Sequence, residues 1–233
     1  MIDMPVILHI ETSTKNCSVA LSRGEACLMS KLSQDGPSHA TRLGVYVDEA
    51  LTAAKELGLK LDAVAVSCGP GSYTGLRIGV SMAKGLCYAL GIPLIFVPSL
   101  QVLAQALKGR CGEAYICPMI DARRMEVYTQ LFDGNARPLS PVQAMIVDKD
   151  SFGDLPASQS IVLCGDGAAK CIPVIAREHI SLREVTMQAS WMVEPALASY
   201  QAQDFHDVAY CEPFYLKEFQ ATVPTKLQQI IKA

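Results

Sequence analysis

Apolar and polar positions along the chain alternate between two rhythms, and the changes of rhythm mark the elements. Residues 6–11 (Val-Ile-Leu-His-Ile-Glu) form a short, nearly unbroken apolar run, as expected of a strand buried on both faces. Residues 17–22 alternate, and residues 26–31 follow the Arg23-Gly24-Glu25 turn, which predicts three strands joined by hairpins. Gly36-Pro37-Ser38 reads as a helix start with Ser38 as the cap. Leu43, Val47, Ala50, Leu51, Ala54 and Leu57 then fall on one stripe of a helix over residues 39–57, which Gly58 ends. A buried strand is expected at 63–66, a helix at 74–90 stopped by Gly91-Ile92-Pro93, and a strand at 94–97.

This order, β-β-β-α-β-α-β, is that of a ribonuclease H-like half-unit. The second half of the chain echoes it more weakly. Strands are expected at 115–120 and 126–132, flanking Asp121-Ala122-Arg123-Arg124. A strand at 161–164, a Gly165-Asp166-Gly167 turn and a helix around 190–202 follow. Two α/β lobes are therefore expected, residues 1–105 and 106–233, with a seam near residues 98–112.

The run from Ser67 to Gly79 (SCGPGSYTGLRIG) is the most specific local pattern. Gly69 and Gly71 permit positive φ, Pro70 fixes the turn, and Ser72 or Thr74 can cap the helix that follows. Free N–H groups at such a helix start offer an anion site. The helix itself is apolar on nearly every side and carries Gly75, Gly79 and Gly85. A glycine inside a helix costs about 1 kcal/mol relative to alanine, so three of them point to close approach of another backbone. Met82, Leu86 and Tyr88 lie off the Leu76–Val80–Ala83 stripe, which leaves apolar surface for a protein partner.

Composition narrows the function classes. The 233 residues are half apolar, enough for a sizeable core, and the net charge of −3 argues against a self-sufficient nucleic-acid binder. Nine cysteines without a C-x-x-C pair, mostly in apolar runs, read as buried thiols of a cytoplasmic protein. The first residues, Met1-Ile2-Asp3-Met4-Pro5, lack a basic n-region, so no signal peptide is expected. The longest apolar span, 78–97, holds Lys84 and is broken by Gly91 and Pro93, which suits a helix and a strand better than a membrane crossing.

Four stretches in register carry a resemblance. They are residues 10–21 (Ile-Glu-Thr-Ser-Thr … Cys-Ser-Val-Ala-Leu), the glycine run 69–79, residues 120–128 (Ile-Asp-Ala-Arg-Arg-Met-Glu-Val-Tyr) and residues 212–217 (Glu-Pro-Phe-Tyr-Leu-Lys). Over about 210 residues they resemble the TsaB (YeaZ-like) family, accessory subunits of bacterial tRNA threonylcarbamoyladenosine (t6A) synthesis. The resemblance implies the two-lobed fold of actin, Hsp70 and sugar kinases (ASKHA). It also implies a non-catalytic scaffold that pairs with TsaD, which transfers threonylcarbamoyl to N6 of adenosine-37, and with the small ATPase TsaE. A homodimer in isolation is implied as well, with tRNA engaged indirectly and no membrane role. The implied partner face lies on the first two helices, with Leu43, Tyr46, Val47, Tyr73, Arg77, Ile78 and Met82 as candidates.

TsaD-like proteins hold a metal with a His-x-x-x-His pair after the strand that follows the glycine helix, and Ser99 and Leu103 occupy those positions here. Neither suits the role. The candidate nucleotide or anion set is Glu11, Thr12, Ser13, Gly71, Ser72 and Asp166. Its plainer alternative is a satisfied turn, since Lys15 and Asn16 replace the glycine usual in a phosphate loop. No cofactor is expected to bind tightly, and ATP or ADP only at a seam with partners. Asp121, Arg123 and Arg124 could hold a phosphate or carboxylate, or form a solvated turn. Gly-x-Ser-x-Gly is absent. The alternatives to a scaffold are an ATP-dependent phosphotransferase of the same fold and a glycoprotease-like metallopeptidase.

Overall fold

The structure, a computed structural model, describes residues 4–34 and 39–217. The helix-start signal Gly36-Pro37-Ser38 therefore lies outside the described residues, as do Met1–Asp3.

The first lobe follows the expected order. Strands β1 (Val6–Glu11), β2 (Cys17–Arg23) and β3 (Ala26–Ser33) form an antiparallel meander. Helix α1 (His39–Glu56) leads to β4 (Ala63–Gly69), helix α2 (Tyr73–Leu90) to β5 (Leu94–Pro98), and both strands run parallel to β1. The sheet order is β3-β2-β1-β4-β5. Every residue of β1 and of β4 is buried, because helices cover one face of the sheet and the second lobe covers the other. Leu8, Ile10, Val64 and Val66 pack under Leu43, Val47, Val80 and Ala83 of α1 and α2. Ile7, Ala63, Ala65 and Ile95 point to the opposite face. Gly58 (φ +66) closes α1 and Gly91 (φ +65) closes α2, each in the left-handed conformation that a helix end requires.

The second lobe repeats this topology. Its strands are β6 (Tyr115–Asp121), β7 (Glu126–Thr129), β8 (Gln143–Ile146), β9 (Ile161–Cys164) and β10 (Ile180–Arg183), in the order β10-β9-β6-β7-β8. Read from β8, this is the first lobe's order again: an antiparallel meander, then two parallel strands beside its first strand. Helices are reduced. Turns replace α1, and the single-turn helix α4 (Ala168–Cys171) stands where α2 stands in the first lobe. The molecule has the two-lobed α/β ASKHA architecture.

Helix α3 (Ser99–Gln105), a 3-10 turn (Ala189–Met192) and helix α5 (Val193–Gln201) pack between the sheets. One continuous core joins them: Ile7 and Ile95 of the first sheet, Leu100 and Leu103 of α3, Ile116, Ile120 and Phe132 of the second lobe, Met192 and Ala196. Each of the large side chains among them contributes about 1.5–3 kcal/mol by leaving water, so the seam is a major source of stability.

The chain then returns to the first lobe. His206 donates its N–H to Leu94 O on the outer edge of β5 (2.9 Å), and its ring stacks on Phe96 with centroids 4.5 Å apart. Residues 206–217 run on as a strap beside α2, covering a sheet edge that would otherwise stand open.

Candidate functional site

The corner where β4 becomes α2 is built against the first hairpin turn. Gly69 has φ +117 and precedes a cis Gly69–Pro70 bond. Ser72 caps α2 by accepting from Gly75 N (3.3 Å), and its own N–H donates to Ser13 O (2.6 Å). The Thr12 hydroxyl donates to Gly75 O (2.8 Å). A methyl group on Gly71 would collide with Ser13 O, one on Gly75 with Thr12 O, and one on Gly79 with the Thr12 hydroxyl. The backbone that these glycines approach is the chain's own. Gly69 likewise lies against the strap, where Phe214 N donates to Cys68 O (2.7 Å).

This packing corrects the anion-site expectation. Glu11, Thr12 and Ser13 are all fully buried, and the helix start beside Gly71 and Ser72 is filled by Ser13 O. The Glu11 carboxylate accepts from Ser13 N and Ser13 Oγ (both 2.6 Å) rather than facing a ligand. Burial pushes its carboxyl up to about 7, against the opposing effect of those bonds. Of that candidate set Ser72 and Asp166 are exposed and Gly71 is half-buried, but Asp166 stands apart from the rest. It sits on the second lobe, where its Oδ1 accepts from Asp121 N (3.0 Å) and partial burial raises its carboxyl above the usual range. Glu11, Thr12, Ser13, Gly71 and Ser72 meet at one corner that their own contacts fill, and Asp166 is not part of it.

At the two positions where the resemblance implies metal ligands in TsaD-like proteins, Ser99 accepts from Gly69 N (3.1 Å) and Leu103 belongs to the core. His9 is buried in β1, bonded to Ser22 Oγ (2.8 Å), and burial lowers its ring to about 3. His39 bonds through Nε2 to the carbonyls of Thr14 and Asn16 (both 2.9 Å), bracing the first hairpin turn. Among the described residues no group of three or more His, Cys, Asp or Glu could hold a metal ion. Nor is any described helix long and apolar enough to cross a membrane. All nine cysteines are free thiols.

Asp121 does not pair with the arginine side chains beside it. Its Oδ1 takes Arg123 N (2.8 Å) and Lys170 Nζ (2.5 Å), and Arg123 and Arg124 form the hairpin tip with φ +74 and +52. Lys170 also reaches Arg124 O and Glu126 O, so it anchors the tip from below.

The helical candidates separate into three groups. Leu43 and Val47 are core residues, 1% and 4% exposed, and cannot offer a partner surface; this corrects their place in the candidate set. Tyr46, Ile78 and Met82 are half-buried against the same core. Tyr73 and Arg77 are held by the strap: the Tyr73 and Tyr215 rings lie 4.8 Å apart, the Arg77 guanidinium sits 4.4 Å over Tyr73, and its Nε donates to Tyr215 OH (3.3 Å). Lys84 donates to Ala209 O and Cys211 O of the same strap. Outward, α2 presents Thr74, Ile78, Ser81 and Gly85, an uncharged row of 4-3-4 spacing with nothing within 4 Å of a side chain placed at Gly85. That spacing is legible in the sequence, but a row of Thr, Ser and Gly around one Ile carries little hydrophobic signal.

A second concave feature went unpredicted. A cavity of about 450 Å3 lies between the hairpin turn Thr14–Asn16 and the second lobe's Gly165-Asp166 turn and β10. Its lining comes from five separate stretches of chain, so no sequence spacing announces it.

Comparison with known proteins places this geometry. The family model TsaD: tRNA N6-adenosine threonylcarbamoyltransferase matches residues 34–151, just over half of the chain. The chain is 38% identical over 126 residues to the tRNA threonylcarbamoyladenosine biosynthesis protein TsaB of Bacillus subtilis, covering 54% of each chain. Its match thus spans about half the length of that curated relative, and the same holds for TsaB of Haemophilus influenzae, at 51%. An uncharacterized protein of Mycobacterium tuberculosis is 34% identical over 198 residues, covering 84% of this chain and 90% of the relative. Among solved structures, YeaZ from Pseudomonas aeruginosa superposes with a TM-score of 0.78 at 26% identity, covering 91% of this chain and all of the other. The chain belongs to the TsaD family, as a TsaB/YeaZ-like member of it.

Proposed function

We propose that the chain is a non-catalytic scaffold in t6A biosynthesis, docking a TsaD-type protein, with a TsaE-type ATPase joining them, and forming a homodimer when alone. The observation that carries the reading is the outer face of α2. Thr74, Ile78, Ser81 and Gly85 make a narrow, uncharged strip on which a second helix can lie close. Small residues permit close backbone approach, and interfaces between constant partners are poorer in charge than ordinary surface. The non-catalytic part of the reading rests on Ser99 and Leu103, a capped backbone contact and a core residue in place of metal ligands.

On this reading the protein works in the cytoplasm and carries no tightly bound cofactor. ATP or ADP enters only at a seam with partners, and tRNA is met through them. The test is the t6A content of bulk tRNA in cells from which the chain is removed, read by nucleoside mass spectrometry. Loss of t6A, restored by the intact chain, is expected. Undiminished t6A in the depleted cells would remove the proposal's basis.

A further inference from the structure

We infer that the docking face proposed for α2 continues past Gly85 onto Tyr88 and the strap's Tyr210, and that a protein partner meets it there with arginine side chains. The inference rests on the docking reading for the partner being a protein, while the partner's chemistry is argued from this surface alone.

The strap and α2 meet along a line that carries tyrosine at both ends. At the start of α2, Tyr73 of the helix faces Tyr215 of the strap, and the Arg77 guanidinium lies over Tyr73 at 4.4 Å. At the far end, Tyr88 of α2 and Tyr210 of the strap are 86% and 85% exposed. Lys84 brings these two to one place. Its Nζ donates to the carbonyls of Ala209 and Cys211, on either side of Tyr210 (3.3 and 3.0 Å). Tyr88 follows Lys84 by about one turn on the same side of the helix. Among the described residues no ring or guanidinium stacks on either tyrosine. Tyr88 also continues the outer row of Thr74, Ile78, Ser81 and Gly85 by a further step of three.

Three features of this end select a cation. Residues 203–216 carry Asp204, Asp207 and Glu212 and no Lys or Arg. Helix α2 has no basic residue in its last turn, so the negative end of its dipole is unmet, and Lys84 is committed to the strap carbonyls. The exposed ring faces attract a cation through their quadrupoles, and a guanidinium suits them best because it is planar and weakly hydrated. Arg77 on Tyr73 is the same pairing made within the chain. A nucleic-acid strand would also stack on the rings, but its phosphates would meet the carboxylates. Tyrosine and arginine are, besides, enriched among the residues that dominate binding between proteins.

The test is a fluorescence-anisotropy titration of the full chain, alone, against labelled hexa-arginine, hexa-lysine and hexauridylate. Saturable binding is expected, tightest for hexa-arginine. Tyr88→Ala with Tyr210→Ala should weaken it about tenfold, as loss of two cation–π contacts implies. Tyr88→Phe with Tyr210→Phe keeps both rings and should preserve it. All four side chains would stand in solvent, so neither double variant should shift the unfolding temperature. No saturation by hexa-arginine at millimolar concentration would overturn the inference. So would binding that the alanine pair leaves intact, binding lost in the phenylalanine pair, or hexa-lysine or hexauridylate bound as tightly. The titration uses no partner, so its outcome is separate from that of the docking reading: a heterodimer that forms while hexa-arginine fails to bind overturns this inference alone.

Discussion

Two glycines of one helix make opposite demands. Gly75 lies where an added methyl group meets Thr12 O, whereas Gly85 has open space. Gly75→Ala should therefore destabilise the protein by about 1–3 kcal/mol, the usual cost of overpacking, and Gly71→Ala, against Ser13 O, should behave alike. Gly85→Ala should stabilise it by up to about 1 kcal/mol through helix propensity. Urea unfolding of the three variants checks the contrast, and equal effects at Gly75 and Gly85 would contradict the packing described. The sequence made the glycines conspicuous but could not say which backbone they meet, because Thr12 and Ser13 lie some sixty residues earlier in the chain.

Glu11 sets a pH dependence at the same corner. Its carboxyl titrates at about 7 when folded against an ordinary 4.5, so the folded state holds the proton more tightly. Stability then falls as pH rises from about 4.5 to 7 and stays reduced above that. Glu11→Gln removes the titration, so the variant should gain on the parent between pH 5 and pH 8, by about 3 kcal/mol at most. His9 works in the other direction: lowered to about 3, it stays neutral when folded and weakens the protein as pH falls below 6.5. Comparing variant with parent at each pH cancels that contribution. A difference in unfolding free energy that does not change with pH would show that Glu11 is not buried as described.

At the level of elements, periodicity located what was long and regular. Helices α1 and α2 and the strands of the first lobe follow the spacing of their apolar residues. The same spacing placed Leu43 and Val47 on the buried stripe, and their assignment to a partner face conflicted with it. Strands β8 and β10 escaped notice because each has four residues, mostly exposed, too short for an alternation to register. The outer row of α2 gives the prediction at this scale. Ser81→Arg and Gly85→Glu should leave the unfolding midpoint within about 0.5 kcal/mol of the parent, apart from the helix-propensity gain at Gly85, as surface substitutions do. Both should abolish partner docking, because each puts a charge on a strip that has none.

The whole molecule is a repeated fold with unequal halves. Both lobes share one strand order, yet only the first keeps two full helices over its sheet. The half that keeps them is the half to which the proposed docking face belongs. The strap ties the lobes at a third place: Tyr215 rests on Tyr73, while Lys217 pairs with Glu126 of β7 (2.5 Å). The sequence motif at 212–217 was legible as a motif, but its role as a tether appears only once α2 and β7 are brought to the same side of the cleft.

The central claim is that the outer face of α2 docks a TsaD-type protein. Size-exclusion chromatography with light scattering on an equimolar mixture of the two tests it directly. A heterodimer is predicted with the natural chain and none with Ser81→Arg. A mixture that elutes as separate species, or a heterodimer that Ser81→Arg leaves intact, would contradict it.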